Sequence, residues 1–541
     1  MLQKHSVFSL VVFLLALMYS QAQDIALIKK RVVSDLLAPP VNTTAIQQLV
    51  QSIQPDGTWP GINYKDVSRT GFQHKDHLEN MLALARTYKK PGTVYYQDPA
   101  VKRTFAAALD YWLAHDFRCE NWWWNEMGTP NLMINTLLVM DSSLTEKQRQ
   151  EGLQIAHRAK ELQEVIDVRL GKTKPNFTRD RYFWYSHYYT HQRPNYYASV
   201  RMHSARANNM EEPHNEEGIR NHHYGDGSFF ISRTGHEYFN IFPVWDWQKI
   251  PGATIVQKQD VPHWRQLAKK GLTDFSGGMS DGQYGVAAFD FASVHDPLKA
   301  HKAWFFFDQE IVCLGAGIHA DTALPVFTTL NQCLLNKQVT VHTNHKTTTL
   351  PTGKHVLPAV SWVLHDSVAY IFPQPATMHI NNGEATGNWR QINHQAWATT
   401  TTVRENVFTL WLDHGVQPKN AGYAWIVVPG IDIVSAAAYS RKLPVKILAN
   451  TADLQVVQHT GLERTGIVFY KAGTIRINDR LTLATTQPCI VMIKAKGATV
   501  SAIAVTDPTQ KLNSLQLKVN ERTIDVQLPI GTEAGSTVVV Q

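Results

Sequence analysis

Trp304-Phe305-Phe306-Phe307-Asp308-Gln309-Glu310-Ile311-Val312-Cys313-Leu314 is a short run rich in apolar, β-prone residues. Short runs of this kind, bounded by turn residues, are how buried strands read in a sequence. Ser361 to Phe372, Val407 to Trp411 and Ala424 to Val428 repeat it, with Gly, Asn, Asp and Pro between them. The chain beyond Arg181 is therefore expected to be β-sandwich, with a boundary near Pro429-Gly430 or slightly beyond that sets off a smaller C-terminal β domain. Toward the N-terminus the spacing changes. Leu78, Met81, Leu82 and Ala85, and then Phe105, Leu109, Trp112 and Leu113, recur every three or four residues, which predicts helices from Asp24 to about Leu170. Ser143, followed three residues later by Glu146, has capping-box spacing and predicts the start of the last of these helices. Gly171 to Arg181 reads as a linker.

The chain has 541 residues, enough for two or three cores. Lys4 and His5 precede an apolar run from Val7 to Tyr19, and Ser20-Gln21-Ala22 then supplies small residues at cleavage-site spacing. A signal peptide over residues 1–22 is expected, because the run falls short of the roughly 20 apolar residues of a membrane span. The domains expected after it are helical 23–175, central 176–435 and C-terminal 436–541. Cys119, Cys313, Cys333 and Cys489 lie far apart without metal-type spacing, so buried free thiols are expected. The net charge of +7 suits an acidic polymer as partner and is weak support for one.

Fifteen tryptophans and 10% aromatic residues carry more information. Rings stack on the apolar faces of sugars, although core packing is the commoner use of any single Trp. In Asn121-Trp122-Trp123-Trp124-Asn125-Glu126-Met127-Gly128-Thr129-Pro130, expected to be a loop between helices, three adjacent indoles cannot all face one core. At least one should be exposed, and an exposed ring beside amides makes a sugar platform.

With that block, the chain carries His191-Gln192-Arg193-Pro194, Tyr238 to Trp247 followed by Lys249-Ile250-Pro251-Gly252, Gly277-Gly278-Met279-Ser280-Asp281-Gly282, Lys302 to Asp308, Cys313 to Ile318, Leu364-His365-Asp366 and Gly387-Asn388-Trp389. In this order they resemble polysaccharide lyase family eight, the bacterial lyases of hyaluronan, chondroitin and xanthan, and among them the chondroitin AC lyases in particular. The resemblance covers nearly all of the mature chain. It implies an α+β multidomain fold: an incomplete (α/α) toroid, a central β-sandwich superdomain and a small C-terminal β domain, with the polymer in a cleft between the first two. It implies β-elimination, in which the carboxylate of a uronic acid is neutralised, the C5 proton goes to a base and the departing glycosidic oxygen receives a proton. No redox cofactor is needed. The implied partner is an acidic polysaccharide such as chondroitin sulfate or hyaluronan, not nucleic acid or membrane; a monomer is expected, and the signal peptide places it in the periplasm or outside a bacterial cell.

The resemblance also implies a shortened toroid. The family's catalytic Asn, His, Tyr and Arg lie in a Gly-Ala-Asn motif, a Ser-Phe/Tyr-x-x-His-Gly block with a following Tyr-Gly, and an Arg-rich helix. This chain passes from Gly171-Lys172-Thr173-Lys174-Pro175 to Phe183-Trp184 without them, so none of the four carries over. Asn121, Trp122 and Trp123 match the family's aromatic platform, and Glu212 and Asn215 match its Glu-x-x-Asn pair. Beyond these, Glu217-Gly218-Ile219-Arg220-Asn221 departs from the family's Glu-Asn-Leu-Lys-Gly. His187, Tyr188, Tyr189 and His191 have the right chemistry to replace the missing groups, although packing accounts for them better, as it does for Tyr185, His222, His223 and Tyr224. Arg193, Arg201 and Arg206 could pair with sulfate or carboxylate. Some relatives bind calcium near the Trp-acid-Trp motif. Here only Asp246 is acidic, with Gln248 and Gln257 beside it, which predicts weak binding or none.

Overall fold

The computed structural model describes residues 29–68, 72–159, 178–211, 216–344 and 346–540. The expected signal peptide, the linker residues 171–177, Glu212 and Asn215 lie outside the described residues. The chain divides into two compact units, 1–175 and 176–541.

The first unit is helical: α1 (Thr43–Ser52), α2 (His74–Lys89), α3 (Pro99–His115), α4 (Thr129–Met140) and α5 (Glu146–Ala156). Leu78, Met81, Leu109 and Trp112, part of the predicted stripe, are buried in one cluster with Met133 and Leu137. Each such side chain contributes about 1.5–3 kcal/mol by leaving water. α3 is punctuated by local chemistry. The Asp98 carboxylate accepts from the amides of Ala100 and Val101, Pro99 opens the helix, and Asp116 closes it in the left-handed conformation at φ 40°.

Two helical expectations need correction. The capping box of α5 is Thr145 with Gln148: the Thr145 hydroxyl accepts from the Gln148 amide at 3.2 Å, and the Gln148 side-chain oxygen accepts from the Thr145 amide at 3.0 Å. Ser143 belongs instead to a short 3-10 turn, Asp141–Ser143, whose Asp141 carboxylate is held by Arg149 at 2.5 Å. Two overlapping frames shared one spacing, and the ion pair decided between them. The helix then ends at Ala156, not near Leu170. The stretch after Asn121 is also no loop. Trp122 and Trp123 are helical, and Trp124–Gly128 forms a π-helical turn that runs directly into α4.

The second unit opens with a four-stranded antiparallel sheet, β1 (Arg179–Phe183), β2 (Tyr188–Arg193), β3 (Tyr196–Arg201) and β4 (Ser228–Ser232), in sequence order. Its buried face packs Tyr182, Tyr189, Val200 and Phe229 against Phe289, Trp304 and Phe306 of a twelve-stranded sheet. The run Trp304 to Leu314 lies in a hairpin of that sheet, Leu298–Phe306 followed by Ile311–Ala320, with Phe305 opposite Val312. Helix α6 (Ile433–Arg441), capped by Asp432, leads to a terminal sandwich whose first strand is Val445–Asn450. Its six-stranded and four-stranded sheets enclose Phe469, Leu483, Val491 and Leu517.

The terminal sandwich is fastened to the central one by polar bonds as well as by apolar packing. Arg464 pairs with Asp281 at 2.7 Å, and buried Glu310 takes both His459 and the Tyr439 hydroxyl at 2.9 Å. The Arg206 guanidinium donates to the carbonyls of Asp274 and Ser276 on one side and of Pro508 and Thr509 on the other. All four cysteines are free and buried. No helix among the described residues is long and apolar enough to cross a membrane.

Candidate functional site

In the helical unit, Trp122 and Trp123 are 60% and 46% exposed. Trp124 turns inward and packs on Phe72 with ring centroids 5.6 Å apart. The exposure expected of one indole is thus found for two. The Asn121 side-chain oxygen accepts from the Trp123 amide at 3.0 Å, and Asn125 bonds both the amide and the carbonyl of Cys119, which fixes the turn that presents the rings. Gly128 is required here, because a Cβ would lie 2.4 Å from the Trp124 ring and 2.7 Å from that of Trp123.

In the β unit, alternation along β2 decides the fate of the four proposed substitute catalysts. Tyr189, His191 and Arg193 face inward. Asp180 stands directly across from His191 in the β1–β2 register. Its carboxylate, fully buried, accepts from the Tyr189 hydroxyl and from His191 Nδ1, while His191 Nε2 donates to the Phe307 carbonyl at 2.8 Å. The Tyr189 ring stacks on Phe306 at 4.5 Å. The room for it comes from Gly285, where a Cβ would lie 1.8 Å from the Tyr189 hydroxyl. His187 is buried between the hydroxyls of Tyr182 and Ser204, each at 2.9 Å, and burial pushes its pKa down to about 3. His187, Tyr189 and His191 therefore belong to the core: their polar atoms are bonded within it, and none of the three lines either of the cavities below. Tyr188 alone is half-buried, with its hydroxyl 3.3 Å from that of Tyr197. Arg193 is likewise committed, to Asp308 at 3.0 Å.

Two cavities on this unit share Trp245 and Trp247 as walls. The larger, about 730 Å³, is lined by Arg201, Arg206, Lys270 and Tyr224, with Asn208 and Glu211. The Arg201 guanidinium is steadied by the Ser186 and Met202 carbonyls. The second, about 490 Å³, is lined by Arg220, His222, His223, His263 and His394. Glu211 and Glu216 flank the undescribed residues that include Glu212 and Asn215. Glu216, at φ 59°, is gripped by Arg265 at 2.5 Å and also faces His263 and His394.

Behind the second cavity lies a buried network. Asp226 accepts from His223 Nδ1 at 2.8 Å and faces His203 Nε2 at 3.3 Å. Burial would raise its pKa, and the bonds from the two histidines outweigh that and hold it far below the usual carboxylate range. Burial pushes His222 down to about 4. Lys302, fully buried under the same turn, donates to the carbonyls of Asp226 and Gly252, and burial lowers its pKa to about 7. The sequence reading assigns His222 and His223 to packing and does not foresee this cluster. The His222-His223 doublet three residues before Asp226 was its visible trace.

The residues around Asp246 do not fit a calcium ion. One carboxylate oxygen takes the Lys249 ammonium at 2.5 Å and the other the Gln248 amide at 3.0 Å. Gln257 turns its amide to the carbonyls of Gln248 and Ile255. A hard cation needs several charged oxygens, and a lysine already compensates the single one present. Among the described residues no group of three or more His, Cys, Asp or Glu is placed to hold a metal.

Helical unit, central sandwich and terminal sandwich, with exposed indoles and two indole-walled cavities, one of them basic, define the class. The chain belongs to polysaccharide lyase family 8: the family's N-terminal α-helical domain matches residues 27–172, its super-sandwich domain 178–440 and its C-terminal β-sandwich domain 446–516. It is similar to chondroitinase-AC of Pedobacter heparinus, 28% identical with 97% of each chain covered. That alignment runs over 689 positions against the 541 residues here, so at least 148 of them (689 less 541) have no residue of this chain opposite. A hyaluronate lyase of Thermasporomyces composti is 29% identical over 66% of this chain, which spans 46% of that protein. A solved chondroitinase AC lyase with oligosaccharide superposes with a TM-score of 0.68 at 26% identity, covering 95% of this chain and all of the other. Paenibacillus xanthan lyase shares the fold, with a TM-score of 0.66 at 17% identity, over 96% of this chain and 72% of the other.

Proposed function

We propose that this chain is a glycosaminoglycan lyase of the chondroitin AC and hyaluronate type, exported and acting on its polymer by β-elimination at the uronic acid. The observation that carries the reading is the pairing of the match to chondroitinase-AC over 97% of each chain with a cavity of basic and indole lining. Cations meet sulfate and carboxylate, and rings meet the sugar faces. Asn121, Trp122 and Trp123 are the binding residues assigned on the helical unit, with Glu212 and Asn215 on the β unit. No metal has a step in this scheme.

A second reading, a glycosaminoglycan-binding protein without turnover, is favoured by one observation. The family's Asn, His, Tyr and Arg motifs have no match between Gly171 and Phe183, and His187, Tyr189 and His191 are buried. Incubating the purified chain with chondroitin or hyaluronan separates the two. A rise in ultraviolet absorbance from the C4–C5 double bond identifies the lyase. Retardation of the polymer on a gel without that rise identifies the binder, and a folded chain that does neither refutes both.

A further inference from the structure

His223 has the geometry of an oriented base. Its Nδ1 is tied to the Asp226 carboxylate at 2.8 Å, and Asp226 is itself fully buried and faced by His203 and Asn209. That bond assigns the proton to Nδ1 and leaves the lone pair on Nε2. The ring is 4% exposed, and it is at the cavity of about 490 Å³ that it comes to the surface, with Nε2 bonded to none of the described residues. Arg220, whose Nε donates to the Gln391 carbonyl at 3.2 Å, lines the same cavity, as do the indoles of Trp245 and Trp247. A lone pair on an oriented imidazole, a guanidinium and an aromatic wall are the set that removes a proton adjacent to a carboxylate.

We propose that His223 is the proton-transfer group of this chain, with Asp226 as its positioning residue and Arg220 as the partner of the uronate carboxylate. The inference rests on the lyase reading above. The Nε2 lone pair takes the C5 proton, and the C5–H electron pair becomes the C4–C5 double bond. The C4–O bond breaks with its electrons on the glycosidic oxygen, and the proton held on Nε2 passes to that oxygen. His223 ends as it began, and no oxidant, reductant or water is consumed. The groups facing its ring are Asp226, His222 and His295, and the cavity is also lined by Arg220, His263, His394, Asp246 and Asp260.

The test compares the full chain with His223→Gln, using chondroitin and two readouts, unsaturated product and gel retardation. The expected result is product from the unsubstituted chain, a loss of about a hundredfold or more in H223Q, and equal retardation by both. Product at the unsubstituted rate from folded H223Q overturns the inference and leaves the lyase reading standing. No product from the unsubstituted chain overturns the lyase reading and the inference with it. Asp226→Asn carries the test if H223Q unfolds. A positioning role lowers the rate and shifts the acidic limb of the pH–rate profile, whereas a purely structural role lowers the folded fraction at an unchanged profile and overturns the inference.

Discussion

Replacing His191 by Ala separates structure from chemistry on β2. The ring is fully buried, bonds Asp180 through one nitrogen and the Phe307 carbonyl through the other, and lies against Phe306. Its loss leaves the Asp180 carboxylate, with no exposed surface, held by the Tyr189 hydroxyl alone. Leaving a buried acceptor short of its hydrogen-bond partner costs about 1–3 kcal/mol, and more when the acceptor is charged. Against a total stability of about 5–15 kcal/mol, that shift is easy to measure. Urea unfolding followed by tryptophan fluorescence, with the two units' transitions fitted separately, should show the β-unit midpoint falling sharply. Phe239→Ala, at a position 63% exposed, should move it by no more than about 0.5 kcal/mol. An H191A midpoint within about 1 kcal/mol of the unsubstituted chain would refute the structural account of this histidine, and the more so if product formation were lost with it.

Trp122→Ala combined with Trp123→Ala should weaken chondroitin retardation about fivefold or more per ring, at roughly 1 kcal/mol each, with no change in the thermal midpoint because both rings are exposed. Gly128→Ala should cost about 1–3 kcal/mol through overpacking and alter the near-ultraviolet circular dichroism of the indoles it strikes. Stability of the β unit should fall as the pH drops from 7 to 5. His187 and His222 are held near 3 and 4 in the fold against about 6.5 unfolded, so the unfolded chain binds more protons in that window, and each site costs about 2 kcal/mol at pH 5. A flat melting temperature across that range would contradict the burial of these rings.

The two periodicities were legible because each is a local property of the chain. Leu78 to Ala85 announced a helix from its spacing and Trp304 to Leu314 a β-rich run, although not that the run turns back on itself as a hairpin. Where two local rules overlapped, as at Ser143 and Thr145, the choice fell to Arg149 and Asp141, which no spacing rule weighs. The indole block showed that rings would be exposed but not that a π-helical turn carries them. The larger failure concerned charge partners distant in sequence. Asp180 gives no sign that it satisfies Tyr189 and His191, nor Asp226 that it orients His223, since the first depends on strand register and the second on the turn before β4. Burial turned three catalytic candidates into core, and the same chemistry made a candidate of a histidine read as packing.

Arg206 has a consequence for how this chain can be cut. One face of its guanidinium belongs to the basic cavity, while its nitrogens clamp carbonyls of both sandwiches, Asp274 and Ser276 in one and Pro508 and Thr509 in the other. The terminal sandwich is thus no detachable module. A version of the chain ending near Pro444 would strip this cation of half its acceptors and free it to turn, so trimming the protein at a distance would reshape the wall that meets the polymer.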